Sequence, residues 1–175
     1  MTGTELALAR RSTIPCLSGK TVAYVGDYNN VARSLGEICV ILGAHYRLAC
    51  PEGYDASSDE LQRISSLGSG SIEQSSRPQE IVAGAHAVHT DTWVSMGQEA
   101  EKAQRLEIFG AFSITAQMMA LTASHSIFMH CLPAYRGYEV TAEVIDGSAS
   151  RVIQQGHNRL HASRGVIAHM LGVKR

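Results

Sequence analysis

Short β-branched apolar runs alternate with stretches of helical spacing, and this alternation constrains the chain more than any other feature of its sequence. Residues 21–26 (TVAYVG) are apolar and end at a glycine, as a strand buried on both faces of a parallel sheet does. Residues 31–42 then place apolar side chains at helical spacing, and the pair predicts the opening of a βαβ unit. Residues 45–50 (HYRLAC) supply a second strand, Pro51 and Gly53 turn the chain, and Ser57 or Ser58 is placed to cap a helix running toward Leu67. The pattern continues with a polar strand over 71–76, a short helix over 78–83 and a strand over 87–92 (AVHTDT). A helical stretch over 98–122 breaks near Gly110, a strand follows over 126–131 (SIFMHC), and a last helix is predicted over 158–171 with Gly172 at its C-cap. The fold class implied is α/β: a doubly wound parallel sheet with helices on both faces, Rossmann-like, in a single domain over 21–175. Residues 1–20 read as a leader or the remnant of an interdomain segment, with a short helical pattern over 6–11.

The chain's 175 residues suit one well-buried core. Fifteen basic against sixteen acidic residues leave a formal net charge of -1, which gives no general attraction to nucleic acid or to an anionic membrane. Any ligand must therefore be recognised locally. Cys16, Cys39, Cys50 and Cys131 form no CxxC pair, so neither a disulfide scaffold nor a zinc site is expected and a reducing compartment is. No apolar run has the length of a membrane span. The location expected is cytoplasmic, with no membrane partner.

Ligands of doubly wound sheets gather at the carboxyl ends of the strands, and three polar segments fall at such ends. The first, Gly26-Asp27-Tyr28-Asn29-Asn30, stands where a dinucleotide fold would carry GxGxxG, but it has one glycine and an acid beside it. That disfavours an NAD pyrophosphate. Its two asparagines stand at a helix start, where an amide either caps the helix or presents a donor and an acceptor to an amino-acid ligand. The second segment, from Asp91 through Trp93, Ser95 and Met96 to Gly97, joins a carboxylate, a hydroxyl, an indole and a glycine turn. A carboxylate there can pair with an ammonium group, whereas Trp93 is expected to pack on the sheet. The third, His130-Cys131-Leu132-Pro133, ends a strand with two reactive side chains. Pro133 is expected to hold Leu132 extended with its carbonyl exposed. Cys131 alone reads as a buried structural cysteine.

Arg136, Arg159 and Arg164 follow these segments; arginines in such places are mostly solvated, but one facing the rim could grip a phosphate or carbonyl oxygen. His86, His89, His125, His157, His161 and His169 show no HExxH pattern. They read as surface or satisfied core residues, and no metal ligand is assigned.

Gly-Asp-Tyr-Asn-Asn at 26–30, Asp-Thr-Trp-Val-Ser-Met-Gly-Gln-Glu at 91–99, His-Cys-Leu-Pro at 130–133 and Asn-Arg at 158–159 together resemble the ornithine carbamoyltransferases. The resemblance runs over residues 20–171 and implies the amino-acid-binding domain of a two-domain transferase. It implies that Asn30, Asp91, Ser95 and Met96 hold the α-amino and α-carboxylate groups of ornithine. Cys131 and the Leu132 carbonyl would receive the side-chain ammonium, with Asp91 and Cys131 as the catalytic pair, and Arg159 would contact carbamoyl phosphate. No cofactor is implied. The family's Ser-Thr-Arg-Thr-Arg and His-Pro-x-Gln segments for carbamoyl phosphate do not occur in these 175 residues, so that substrate is expected to be held by a missing or separate domain, in a homo-oligomer or with a partner chain. His157 stands where the family commonly has Glu, and Tyr28 where it commonly has a smaller residue. The alternative is a non-catalytic amino-acid-binding or regulatory module derived from a carbamoyltransferase.

Overall fold

The computed structural model describes residues 17–94, 97 and 99–173. The expected helical pattern at residues 6–11, and with it Ser95 and Met96 of the second rim segment, lies outside the described residues. Five strands form one sheet: β1 (Thr21–Val25), β2 (His45–Ala49), β3 (Ser71–Ser75), β4 (Ala87–Thr90) and β5 (Ile127–His130). Their order is β3-β2-β1-β4-β5, and every neighbouring pair is parallel. The helices between them are α1 (Asn30–Ile41), α2 (Ser58–Ser65), α3 (Pro78–Val82), α4 (Lys102–Phe109), α5 (Ala116–Met119), α6 (Ala142–Ile145) and α7 (Val152–Met170). None of the described helices is long and apolar enough to cross a membrane.

Because successive side chains of a strand point to opposite faces, the sheet divides the core in two. Ala23 and Val25 of β1 pack with Val88, Phe112, Phe128 and Val152. Tyr24, between them, packs with Leu35, Cys39, Tyr46 and Leu48 on the other side. α1 covers that second face with Ala32, Leu35, Gly36, Cys39 and Val40, a helical stripe. Gly36 is needed there because a Cβ would stand 2.7 Å from a ring carbon of Tyr46. The same ring's hydroxyl donates to the Ala32 carbonyl at 2.8 Å.

The turn into β3 is tighter still. A Cβ on Gly70 would lie 2.3 Å from the Ala44 carbonyl oxygen and 2.8 Å from Val40 Cα, both backbone atoms that cannot swing aside. Gly70→Ala is expected to lower stability by about 1–3 kcal/mol, in the range of overpacking substitutions, and thermal unfolding followed by circular dichroism will measure it.

Two expectations are corrected. The last helix begins at Val152, six residues before the predicted Asn158, and α6 was not foreseen. Leu132 is not extended: its φ is +59°, because its N–H turns back to donate to Nδ1 of His130 at 2.9 Å.

Candidate functional site

Strand order reverses between β1 and β4, and a doubly wound sheet opens its binding crevice at the carboxyl ends of such a pair. The residues that meet there are Asn29 after β1, Asp91 after β4, and Cys131 after β5. Asn29 caps α1: its Oδ1 accepts the amides of Val31 and Ala32 at 2.9 and 3.1 Å. That use of the oxygen leaves Nδ2 to donate to Oδ2 of Asp91 at 2.9 Å. The other oxygen of Asp91 accepts the Thr92 amide and the Cys131 thiol, each at 2.8 Å. The sequence left capping and ligand presentation as alternatives for the asparagines; Asn29 caps and reaches across the rim at once. Asn30 is exposed at the first position of α1, beside this junction.

The thiol that donates to Asp91 is held protonated. Burial pushes Cys131 up to about 12, and the Asp91 carboxylate adds to the effect. A cysteine in this setting is a hydrogen-bond donor rather than a thiolate nucleophile at neutral pH.

Beneath the rim lies a buried polar chain. His130 is fully buried, and since its Nδ1 accepts from Leu132, its Nε2 is the nitrogen facing Glu139, at 3.4 Å from Oε1. That same carboxylate oxygen accepts the Tyr135 amide. From α7, Gln155 accepts the His130 amide at 3.1 Å and sets its Nε2 3.1 Å from Nε2 of His89. One turn further on, Arg159 donates to the Cys131 carbonyl at 3.0 Å. α7 therefore grips the His-Cys-Leu-Pro turn at two successive residues.

Asp91, His130 and Cys131 offer ligand atoms within 4.8 Å of one another. The thiol and carboxylate are engaged with each other and the imidazole Nδ1 with the Leu132 amide, so an ion held through these atoms would have to break those contacts first. Leu132 also walls a neighbouring cavity of about 810 Å³ with Ala134, Ile145, Val152 and Gln154, which Asp91 and Cys131 do not line.

A further clamp escaped the sequence reading. Arg105 is 3% exposed. It donates to the Trp93 carbonyl at 2.5 Å, pairs with Asp27, and lies over the rings of Tyr54 and Phe109 at 4.8 and 5.3 Å. It ties the first rim segment to the second. Trp93 itself packs as expected, 3% exposed and 5.8 Å from the Phe109 ring.

His89 makes the rim's foundation acid-sensitive. Burial pulls its pKa from 6.5 to about 4, with His130 adding to the effect, so the folded state keeps it neutral while the unfolded state takes a proton. Stability contributed above about pH 6.5 is then lost as pH falls toward 4, at up to about 1.4 kcal/mol per pH unit. Urea unfolding at a series of pH values should show this slope, and His89→Gln should flatten it.

The chain is an all-parallel α/β domain of the doubly wound class, with an amide, a carboxylate and a thiol joined at the switch point, the edge where ligands of such folds gather. The family described as Aspartate/ornithine carbamoyltransferase, Asp/Orn binding domain, matches residues 18–170; the chain belongs to this family. It is 44% identical over 153 residues to an ornithine carbamoyltransferase of Campylobacter curvus, covering 86% of this chain and 50% of that protein. Among solved structures, the ornithine carbamoyltransferase from Pyrococcus furiosus superposes with a TM-score of 0.83 at 40% identity, covering 91% of this chain and 52% of the other. The enzyme from Thermus thermophilus gives 0.77 at 36%, covering 89% and 50%. The chain spans about half the length of the curated relatives it matches.

Proposed function

We propose that this chain forms the amino-acid-binding half of an ornithine carbamoyltransferase, which joins ornithine and carbamoyl phosphate into citrulline and phosphate. The observation that carries the reading is the Asn29, Asp91 and Cys131 junction at the switch point, in a chain of this family. In the proposed pocket Asn30, Asp91, Ser95 and Met96 hold the α-amino and α-carboxylate groups. Cys131 and the Leu132 carbonyl receive the side-chain ammonium. The ammonium gives up a proton to solvent, the neutral amine attacks the carbamoyl carbon, a C–N bond forms, the C–O bond to phosphate breaks, and the nitrogen's second proton leaves with the phosphate. Only the deprotonated amine is a nucleophile, so the bound ammonium must lose its proton before it can attack. Arg159 lies at the same turn and would contact carbamoyl phosphate from this side.

The reading also accounts for α7. Ile153, Leu160, Ile167, Met170 and Leu171 are 57–78% exposed, an apolar set that a carbamoyl-phosphate-binding half would cover. The chain alone is expected to form no citrulline from ornithine and carbamoyl phosphate, and to gain that activity when co-expressed with such a half. A colorimetric citrulline assay decides it: turnover by the chain alone refutes the division of labour, and absence of turnover in the reconstituted pair refutes the activity.

A further inference from the structure

We infer that His157 and His161 form a two-imidazole site for a borderline divalent transition-metal ion, of the Cu²⁺, Ni²⁺ or Zn²⁺ class, on the exposed face of α7. The site is inferred for this chain by itself: Ile153 and Leu160, on the same side of the helix, belong to the apolar set that the half proposed above would cover. The two residues are four apart within the unbroken helix Val152–Met170, which sets them one turn apart along the axis and about 40° apart around it. Side chains so related are neighbours, with Cβ atoms about 5–6 Å apart, and this is the separation at which HExxH helices offer two imidazoles to one ion. Both histidines are exposed.

Among the described residues neither imidazole has a hydrogen bond or an ion pair. α7 contains no Asp or Glu, so no acid on the same helix competes for them. Arg159, between them in sequence, is drawn off to the Cys131 carbonyl. The opposite side of the helix is anchored by Val152, Gln155 and Ala162, all buried, so the pair is presented on a rigid element rather than a loop. This sets it apart from the Asp91, His130 and Cys131 cluster, where the thiol donates to the carboxylate and the imidazole accepts from the Leu132 amide. Imidazole nitrogens suit copper, nickel and zinc, and affinity along that series peaks at copper. Water would complete the coordination, making the site an exchangeable one. The sequence shows no HExxH pattern, and these histidines read there as surface or satisfied core residues; the helix start at Val152 puts both on one continuous face.

Calorimetric titration of the untagged chain with NiCl₂ and with CuCl₂ tests the site, alongside electron paramagnetic resonance of the Cu²⁺ form. One ion per chain is expected, bound more tightly for Cu²⁺, with two nitrogen ligands in the spectrum. His157→Ala and His161→Ala should each weaken binding by more than the roughly tenfold that even outer-shell partners of a metal site carry, while Cys131→Ser leaves it unaltered. Both histidines are exposed, so folding of the variants is expected to survive and is checked by far-ultraviolet circular dichroism. Binding that persists in the double variant, binding lost in Cys131→Ser, or no binding at all overturns the inference.

Discussion

Arg105→Met is expected to destabilise the chain by about 3–5 kcal/mol, the range seen when one partner of a buried ion pair is removed. Methionine replaces the aliphatic bulk, so the loss is electrostatic rather than a cavity. Asp27 is left half-buried without its cation, and the Trp93 carbonyl without its donor. Two rings, Tyr54 and Phe109, lose the guanidinium stacked on them. The pH dependence identifies the cause. Burial already raises the Asp27 pKa, with Arg105 holding it down in part; without Arg105 the folded pKa rises further. A folded pKa raised above the unfolded one means that the native state binds the extra proton, so stability is gained as pH falls. The deficit of the variant should therefore shrink on acidification. Equal deficits measured by urea unfolding at pH 5 and pH 8 would refute the ion-pair account and leave lost packing as the explanation.

Arg105 also marks where sequence reasoning stopped. An arginine in the helix Lys102–Phe109, among Lys, Gln and Glu, has the pattern of a solvated face, and nothing local signals that it turns inward to a residue 78 positions away. Glu139 is similar: fully buried, it is recognisable only once His130 is seen beside it. Strands β1 and β5 were legible because burial on both faces demands apolar runs, a strong one-dimensional signal. α1 was legible because Asn29 caps it and its apolar stripe has one period. The start of α7 was hidden because Arg151 makes no side-chain cap and Gly156 interrupts the pattern, so the Asn158-Arg159 motif drew the boundary to itself. Leu132 shows a local rule overridden: the restriction by Pro133 was outweighed by the contact of its own amide with His130. The three rim segments were found because each follows a strand at the carboxyl edge of the sheet, where ligands of such folds gather, and Asn29, Asp91 and Cys131 join there in one network.

Asp91→Asn keeps the shape of that network and removes its charge, and it is expected to weaken ornithine binding by about 2–5 kcal/mol, the cost of truncating one side of a buried charge pair. The new amide meets Asn29 Nδ2 with either an oxygen or a second donor. If its oxygen faces Asn29, its NH₂ must face the Thr92 amide and the Cys131 thiol, where Oδ1 now accepts two hydrogen bonds. The hydrogen bond from Asn29 is therefore lost in one orientation and the two accepted by Oδ1 in the other, in addition to the attraction for an ammonium. The thiol supplies a readout that needs no ligand. Burial is the larger reason that Cys131 stands near 12, and the Asp91 carboxylate is the next; removing the carboxylate lowers the thiol pKa while burial keeps it above that of a free cysteine. Alkylation of Cys131 by iodoacetamide at pH 8.5, located by peptide mass spectrometry so that the other cysteines do not contribute, should be faster in Asp91→Asn than in the parent. Calorimetry then separates the two parts of the assignment. Faster alkylation with undiminished ornithine binding would mean that Asp91 controls the thiol but does not hold the amino acid, and the pocket would have to be sought elsewhere on the rim.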